Sequence, residues 1–280
     1  YGLVAYGLWG IVPVFWKQLA HVAPLEQLGH RVVWGFIVLA ALVWILGRRD
    51  ALVLALRDRR VVATMAVSGA LLAVNWGVFV YAVATDQLLD ASVGYFMNPL
   101  VSVALGTLVL RERLRTLQWL AIAIAMVGVA LITWRAGRLP WIAVAVSTTF
   151  GSYGLVRKLA RVDTLIGTTI ETGLMLPIAL GYFIWLGPPH LAFLGIDRTT
   201  DVLLVATGVV TAGPLLLFTA AARRLPLATI GFLQYLAPSG QFLLAVFVYG
   251  EPFAAEQLAA FGCIWVALTV FSIDMIRNRT

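Results

Sequence analysis

Charge is what this sequence has least of. Only 12% of its 280 residues are charged, whereas 61% are apolar; soluble domains average about 25% charged and about 45–50% apolar. That excess is too large for a soluble core and the surface that covers it. Lysine is nearly missing: Lys17 and Lys158 are the only two. Neither sits in a glycine-rich phosphate loop, which excludes a P-loop nucleotide motor. The single cysteine, Cys263, lies inside an apolar run. A disulfide framework and a cysteine-rich metal site are thereby excluded, and Cys263 reads as a small apolar residue. No His-Glu-x-x-His helix and no Gly-x-Ser-x-Gly elbow is present, so an intramembrane enzyme has no recognisable catalytic set. No cofactor and no metal are expected.

The apolar residues come in long runs. A bilayer core about 30 Å thick takes about 20 residues of helix. Ten segments qualify: 1–20, 24–47, 61–84, 91–110, 117–134, 140–159, 164–186, 201–222, 226–249 and 256–275. The fold class is therefore all-α integral membrane. The connections are too short for a soluble domain. The longest are 48–60 and 187–200, and the first carries Leu and Val at helical spacing between charges, as a short interfacial helix would. The chain opens at Tyr1, without an initiator Met and already inside an apolar run, so its natural N-terminus is expected upstream.

The net charge of +7 does not form a nucleic-acid patch, because the charges gather at the ends of the apolar segments. Connections 48–60, 111–116, 157–163 and 223–225, with the C-terminal tail, hold 15 of the 20 Lys and Arg; the alternate connections hold Arg135, Arg138 and Arg198. The positive-inside rule then puts both termini and the arginine-rich loops in the cytoplasm.

The sequence also repeats. Pro99, Glu112 and Gln118 recur as Pro238, Glu251 and Gln257, each 139 residues later, and Gly94-Tyr95-Phe96 echoes Gly231-Phe232-Leu233. Five apolar segments lie between the copies, and an odd number turns the second copy upside down in the membrane. Two inverted five-helix repeats are expected, 1–137 and 138–280. Secondary transporters are built this way, with the substrate at the junction. Pro99 and Pro238 occupy matching places and are candidate paired hinges, although plain kinks fit equally. Gly7 with Gly10, and Gly151 with Gly154, offer faces for close helix contact.

Polar residues inside the spans are the candidate site, since charge within a membrane usually faces a cavity or the protein interior. His30, Arg31 and Glu171 are the titratable members. Arg31 and Glu171 approach the midplane from opposite faces, either as a pair or as two ends of one cavity. Trp9, Asn75, Trp76, Tyr81, Tyr95, Asn98, Tyr153, Gln234 and Tyr235 add aromatic walls and hydrogen-bonding groups suited to a small amphipathic molecule. Hydrogen-bonded glue between helices is the competing role for each. His30 and Glu171 would serve any proton coupling. Glu112 is expected to cap the next helix or to pair with its neighbouring arginines, and Lys17 and Lys158 to snorkel.

Several stretches carry a likeness to a known family. They are His30-Arg31-Val32-Val33-Trp34, Asn75-Trp76, Gly94-Tyr95-Phe96-Met97-Asn98-Pro99 and Tyr153-Gly154-Leu155-Val156-Arg157-Lys158. Ile170-Glu171-Thr172, Phe218-Thr219-Ala220-Ala221-Ala222 and Gly231-Phe232-Leu233-Gln234-Tyr235 follow in order. The chain resembles the EamA-type drug/metabolite transporters, in their RarD-like branch. The resemblance implies ten helices with an EamA domain in each half, in a bacterial inner membrane. It also implies transport of small metabolites or drugs, outward or by exchange. The expected partners are a small-molecule substrate, the lipid bilayer and, as an open option, protons, in a monomer or homodimer. A channel or facilitative pore is the alternative. It would call for rings of like residues in an oligomer.

Overall fold

In hydrocarbon a chain must satisfy its backbone hydrogen bonds internally, so apolar runs of this length become helices. The computed structural model describes residues 1–85, 87–136, 141–250 and 255–277, and they are helical almost throughout. The first segment forms α1 (Gly2–Ile11) and α2 (Pro13–Gln18). They part at Val12, because Pro13 has no N–H to continue the ladder. Then follow α3 (Pro24–Ile45), α4 (Arg49–Arg57), α5 (Arg59–Ala84), α6 (Leu88–Leu108) and α7 (Thr116–Ala136). The rest of the chain forms α8 (Trp141–Leu159), α9 (Thr164–Leu186), α10 (Arg198–Ala222), α11 (Leu227–Gln234), α12 (Leu236–Leu243) and α13 (Ala255–Arg277). A 3-10 turn, Pro188–His190, follows α9, and a π turn, Leu244–Val248, follows α12.

Among the described residues six helices are long and apolar enough to cross a membrane, and Val93–Leu108 and Thr116–Leu131 are shorter apolar stretches. This is a multi-pass membrane protein. The expected amphipathic helix is α4, which has no buried residue but turns Leu52 and Ala55 onto Val43, Met65 and Ile166. Asp197 caps α10, accepting from the amide and hydroxyl of Thr200, which hold its carboxyl below the usual carboxylate range.

The two candidate hinge prolines differ. Pro99 lies inside the unbroken α6. Pro238 follows a break at Tyr235 that separates α11 from α12. Pro238 cannot donate to the Gln234 carbonyl, so that turn opens. The expected mates Glu251 and Gln257 lie outside the described residues and side chains. Glu112 itself does not cap the helix that follows it. It accepts from the amides of Leu227 (2.7 Å) and Ala228 (3.0 Å) at the start of α11, and lies 3.8 Å from Lys158. Gln118 caps α7 instead, accepting from the Arg115 amide at 3.0 Å, as the reaching-back member of a capping box does. Lys17 lies 3.5 Å over the Tyr249 ring, and Lys158 donates to the Leu225 carbonyl.

The main helix pairings are α6 with α8 and α11, α7 with α13, α3 with α9 and α10, α5 with α8 and α9, and α1 with α10 and α12. Small residues set how close they come. A Cβ on Gly10 would lie 3.4 Å from Gly240 Cα, whereas Gly7 has nothing within 4 Å, so only Gly10 makes the expected contact. Gly208 of α10 meets the Trp34 backbone of α3, and a Cβ there would lie 2.5 Å from the Trp34 carbonyl carbon. Backbone cannot yield as a side chain can. Gly208→Ala is expected to destabilise the fold by about 1–3 kcal/mol through overpacking. Gly77→Ala, with open space around it, should be neutral or better. Thermal unfolding of both variants in detergent checks this.

Candidate functional site

Arg31, two turns into α3, reaches α10, where its Nε donates to Thr211 Oγ1 at 3.2 Å. Its guanidinium lies 4.4 Å from the Trp76 ring centre and 5.1 Å from that of Trp16. A desolvated cation on indole gains about 2 kcal/mol or more, which offsets only part of the cost of placing an arginine in hydrocarbon. Tyr95 lies within electrostatic range of the same guanidinium and meets Phe79, ring centres 6.0 Å apart.

An aromatic wall adjoins this centre. Tyr6 and Trp9 of α1 lie 5.4 Å apart between ring centres, and Trp9 continues to Phe150 (6.1 Å) and Phe218 (5.8 Å). Phe218 stacks on Tyr153 at 5.6 Å. Trp9 and Trp76 belong to one apolar cluster with Leu72, Tyr153 and Phe218, so the sequence candidates Trp9, Trp76 and Tyr153 do come together. Tyr81 does not join them. It is 47% exposed and packs on Trp141.

The other candidates hold helices to one another. Asn75 spends its amide N–H groups on the Val146 carbonyl (2.8 Å) and Thr149 Oγ1 (3.0 Å) of α8. Gln234 donates to Ser102 at 3.0 Å, and the Tyr235 hydroxyl donates to the Phe96 carbonyl at 3.3 Å, which ties α11 to α6. Asn98 is buried beside them, its Oδ1 without a partner. His30 Nδ1 accepts from Trp34 Nε1 at 3.1 Å, which leaves the proton of a neutral ring on Nε2, 3.7 Å from Glu26 Oε1. Glu26 accepts in turn from the amides of Ala192 (2.7 Å) and Phe193 (3.2 Å). His30 is also flanked by the rings of Phe183 and Phe193.

Glu171 is not the partner of Arg31. It pairs with Arg157 of α8, Oε2 lying 3.4 Å from Nη1, with both side chains fully buried. Ser68 of α5 donates to Glu171 Oε2 and the Tyr153 hydroxyl donates to Oε1. Arg157 Nη2 donates to Thr168 Oγ1 at 3.0 Å. One network thus joins α5, α8 and α9. Sequence reading missed Arg157, Glu26, Ser68, Thr211 and Trp16. Arg157 precedes Lys158 and was counted with the loop cations, and burial leaves no mark in a sequence. Glu26 looked like an ordinary first-turn acid, but its i,i+4 spacing to His30 was a usable signal. Among the described residues, no group of three or more His, Cys, Asp or Glu could hold a metal.

The comparisons with known proteins agree with this architecture. The EamA-like transporter family matches residues 1–134. An uncharacterized transporter of Vibrio cholerae is 44% identical over 98% of this chain and 91% of its own length. Protein RarD of Escherichia coli is 42% identical, covering 99% of this chain and 94% of its own. The chain belongs to the EamA-like transporter family, in its RarD-like branch. Family membership makes it a membrane transporter. One solved crystal structure, 19% identical, superposes with a TM-score of 0.76 over 100% of this chain and 97% of its own, which shows the shared fold.

In this EamA-like chain the Arg157–Glu171 pair is fully buried. Arg157→Ala or Glu171→Ala alone is expected to cost about 3–5 kcal/mol, because an unmatched buried charge is left. The double replacement Arg157→Met with Glu171→Met should recover most of that loss. Thermal unfolding of the two single variants and the double variant measures the coupling.

Proposed function

We propose that the chain is a secondary transporter of small organic metabolites or drugs, an exporter or exchanger working by alternating access. Two inverted five-helix repeats, 1–137 and 138–280, would rock about the site around Arg31. The observation that carries this reading is the pattern of helix pairing. If α1 with α2 is exchanged for α8, α3 for α9, α5 for α10, α6 for α11 with α12, and α7 for α13, the main pairings fall into mates. α6 with α8 mates with α12 on α1; α3 with α10 mates with α9 on α5; α5 with α8 mates with α10 on α1. The pairs α3–α9, α6–α11 and α7–α13 are their own mates. That is the packing a two-fold pseudo-axis would produce, and inverted-repeat transporters bind substrate near such an axis.

On this reading α1 and α2 form one span, as do α11, α12 and the π turn, which makes ten. The excess of Lys and Arg on alternate connections puts both termini and α4 in the cytoplasm of a bacterial cell. Substrate contact falls to Arg31, Trp9, Trp76, Tyr95 and Tyr153. Asn75, Asn98, Gln234 and Tyr235 brace the walls. Pro99 and Pro238 are the candidate hinges. The driving force is a substrate gradient or a coupled ion, with His30 and Glu171 as the proton carriers if the ion is a proton.

Two measurements test the proposal. In proteoliposomes, Arg31→Ala should abolish flux while the protein still inserts and elutes as wild type; wild-type flux in that variant removes Arg31 from the path. An imposed pH gradient should alter flux only if His30 or Glu171 carries a coupled proton. For topology, the single native cysteine makes a clean background in Cys263→Ser. There Arg57→Cys should be labelled by an impermeant maleimide only from the cytoplasmic side, and Asp197→Cys only from the other.

A further inference from the structure

Among the described residues the central arginine has no counter-charge. Arg31 spends Nε on Thr211 and lies against the rings of Trp16 and Trp76. No described residue hydrogen-bonds to its terminal nitrogens, and no described carboxylate pairs with it. The described carboxylates nearest the middle of the spans are committed elsewhere. Glu171 holds Arg157, Ser68 and Tyr153, and Glu26 holds two backbone amides beside His30. Thr211 is a neutral acceptor.

A charged side chain within a span snorkels to the headgroups, pairs with another protein group or faces a water-filled cavity on a substrate path. Arg31 turns toward Thr211, in the middle of α10, so a headgroup does not serve, and the described carboxylates are taken, which leaves a cavity that a ligand can enter. We propose that the ligand itself is the counter-ion: a small organic anion whose carboxylate or phosphonate oxygens dock on the two terminal nitrogens of Arg31. A guanidinium offers parallel N–H groups that match two oxygens of an oxyanion, and such charge-assisted pairs are short and directional. Trp9, Trp76 and Tyr95 would then take a flat apolar body attached to that group. Arg157 at the arginine-rich end could not serve in its place, because Glu171 already neutralises it.

The proposal rests on reading this site as the transport centre, and its test separates the two. The full chain in nanodiscs of zwitterionic lipid is titrated with benzoate and phenylphosphonate, and with their neutral and cationic counterparts benzamide and benzylamine. Binding is followed by calorimetry and by tryptophan fluorescence. Either acid should bind at least about tenfold tighter than benzamide, as a charge-assisted bidentate pair warrants. Arg31→Gln should remove that difference, while Arg31→Lys keeps a reduced one. Equal binding of the acid and the amide in the wild type overturns the proposal, as does failure of both acids to bind at millimolar concentration. So does survival of the preference in Arg31→Gln. The wild-type comparison needs no variant, so misfolding of Arg31→Gln cannot rescue it. Flux of neutral compounds without anion preference sinks this proposal alone. Anion binding with no flux of any probe sinks the transport reading alone.

Discussion

A full charge in hydrocarbon must be matched, and the arrangement of this molecule follows from how each one is matched. Arg157 and Glu171 neutralise each other and, with Ser68, Tyr153 and Thr168, draw α5, α8 and α9 to one point. Glu26 is matched by backbone amides at 192 and 193, which fixes the connection before α10 against the start of α3. Neither arrangement needs to add net stability, since a buried ion pair often only breaks even against its own desolvation. Its effect is on specificity: any other neighbour for these helices would strand a charge. Arg31 is the exception, steadied by two indoles and one hydroxyl and otherwise open.

Around those matched charges the frame is made by close approach. Gly208 lets the α3 and α10 backbones touch at Trp34, and Gly10 does the same for α1 against α12 at Gly240. Dispersion between surfaces this near replaces the hydrophobic drive that lipid does not supply. The aromatic run from Tyr6 through Trp9 and Phe218 to Tyr153 fills the interior where helices of both halves meet. The helix pairings are balanced between the halves, but the charges are not. Arg31 belongs to the first half, and the Arg157–Glu171 pair to the second.

Much of this was legible in the sequence, and what was not has a physical reason. Length and hydropathy located the helices, because in lipid an apolar run has one outcome. The amphipathic helix α4 was visible in its Leu and Val at helical spacing between charges. Arg31 stood out by depth alone. Its tryptophan neighbours were half visible, Trp76 as a candidate and Trp16 not, since contact between distant helices depends on rotation about each axis. Arg31 and Glu171, deep from opposite faces, are legible in the sequence either as a pair or as two ends of one cavity. The structure gives Glu171 a cation on the adjacent helix, which charge counting had assigned to a loop. Asn75, Gln234 and Tyr235 were as open to bracing as to binding, and their partners are backbone and hydroxyl groups of neighbouring helices. The repeat signalled Glu112 and Gln118 through their spacing, but the partner of Glu112 lies across the chain in α11.

That partner has an evolutionary consequence. Glu112 grips the amides of residues 227 and 228 and places no demand on their side chains. A joint made to backbone survives drift at the positions it holds. If the two halves are copies of one another, as proposed, a fastening of this kind would let them lose nearly all likeness and still meet at the same place, with an echo of a few residues left behind.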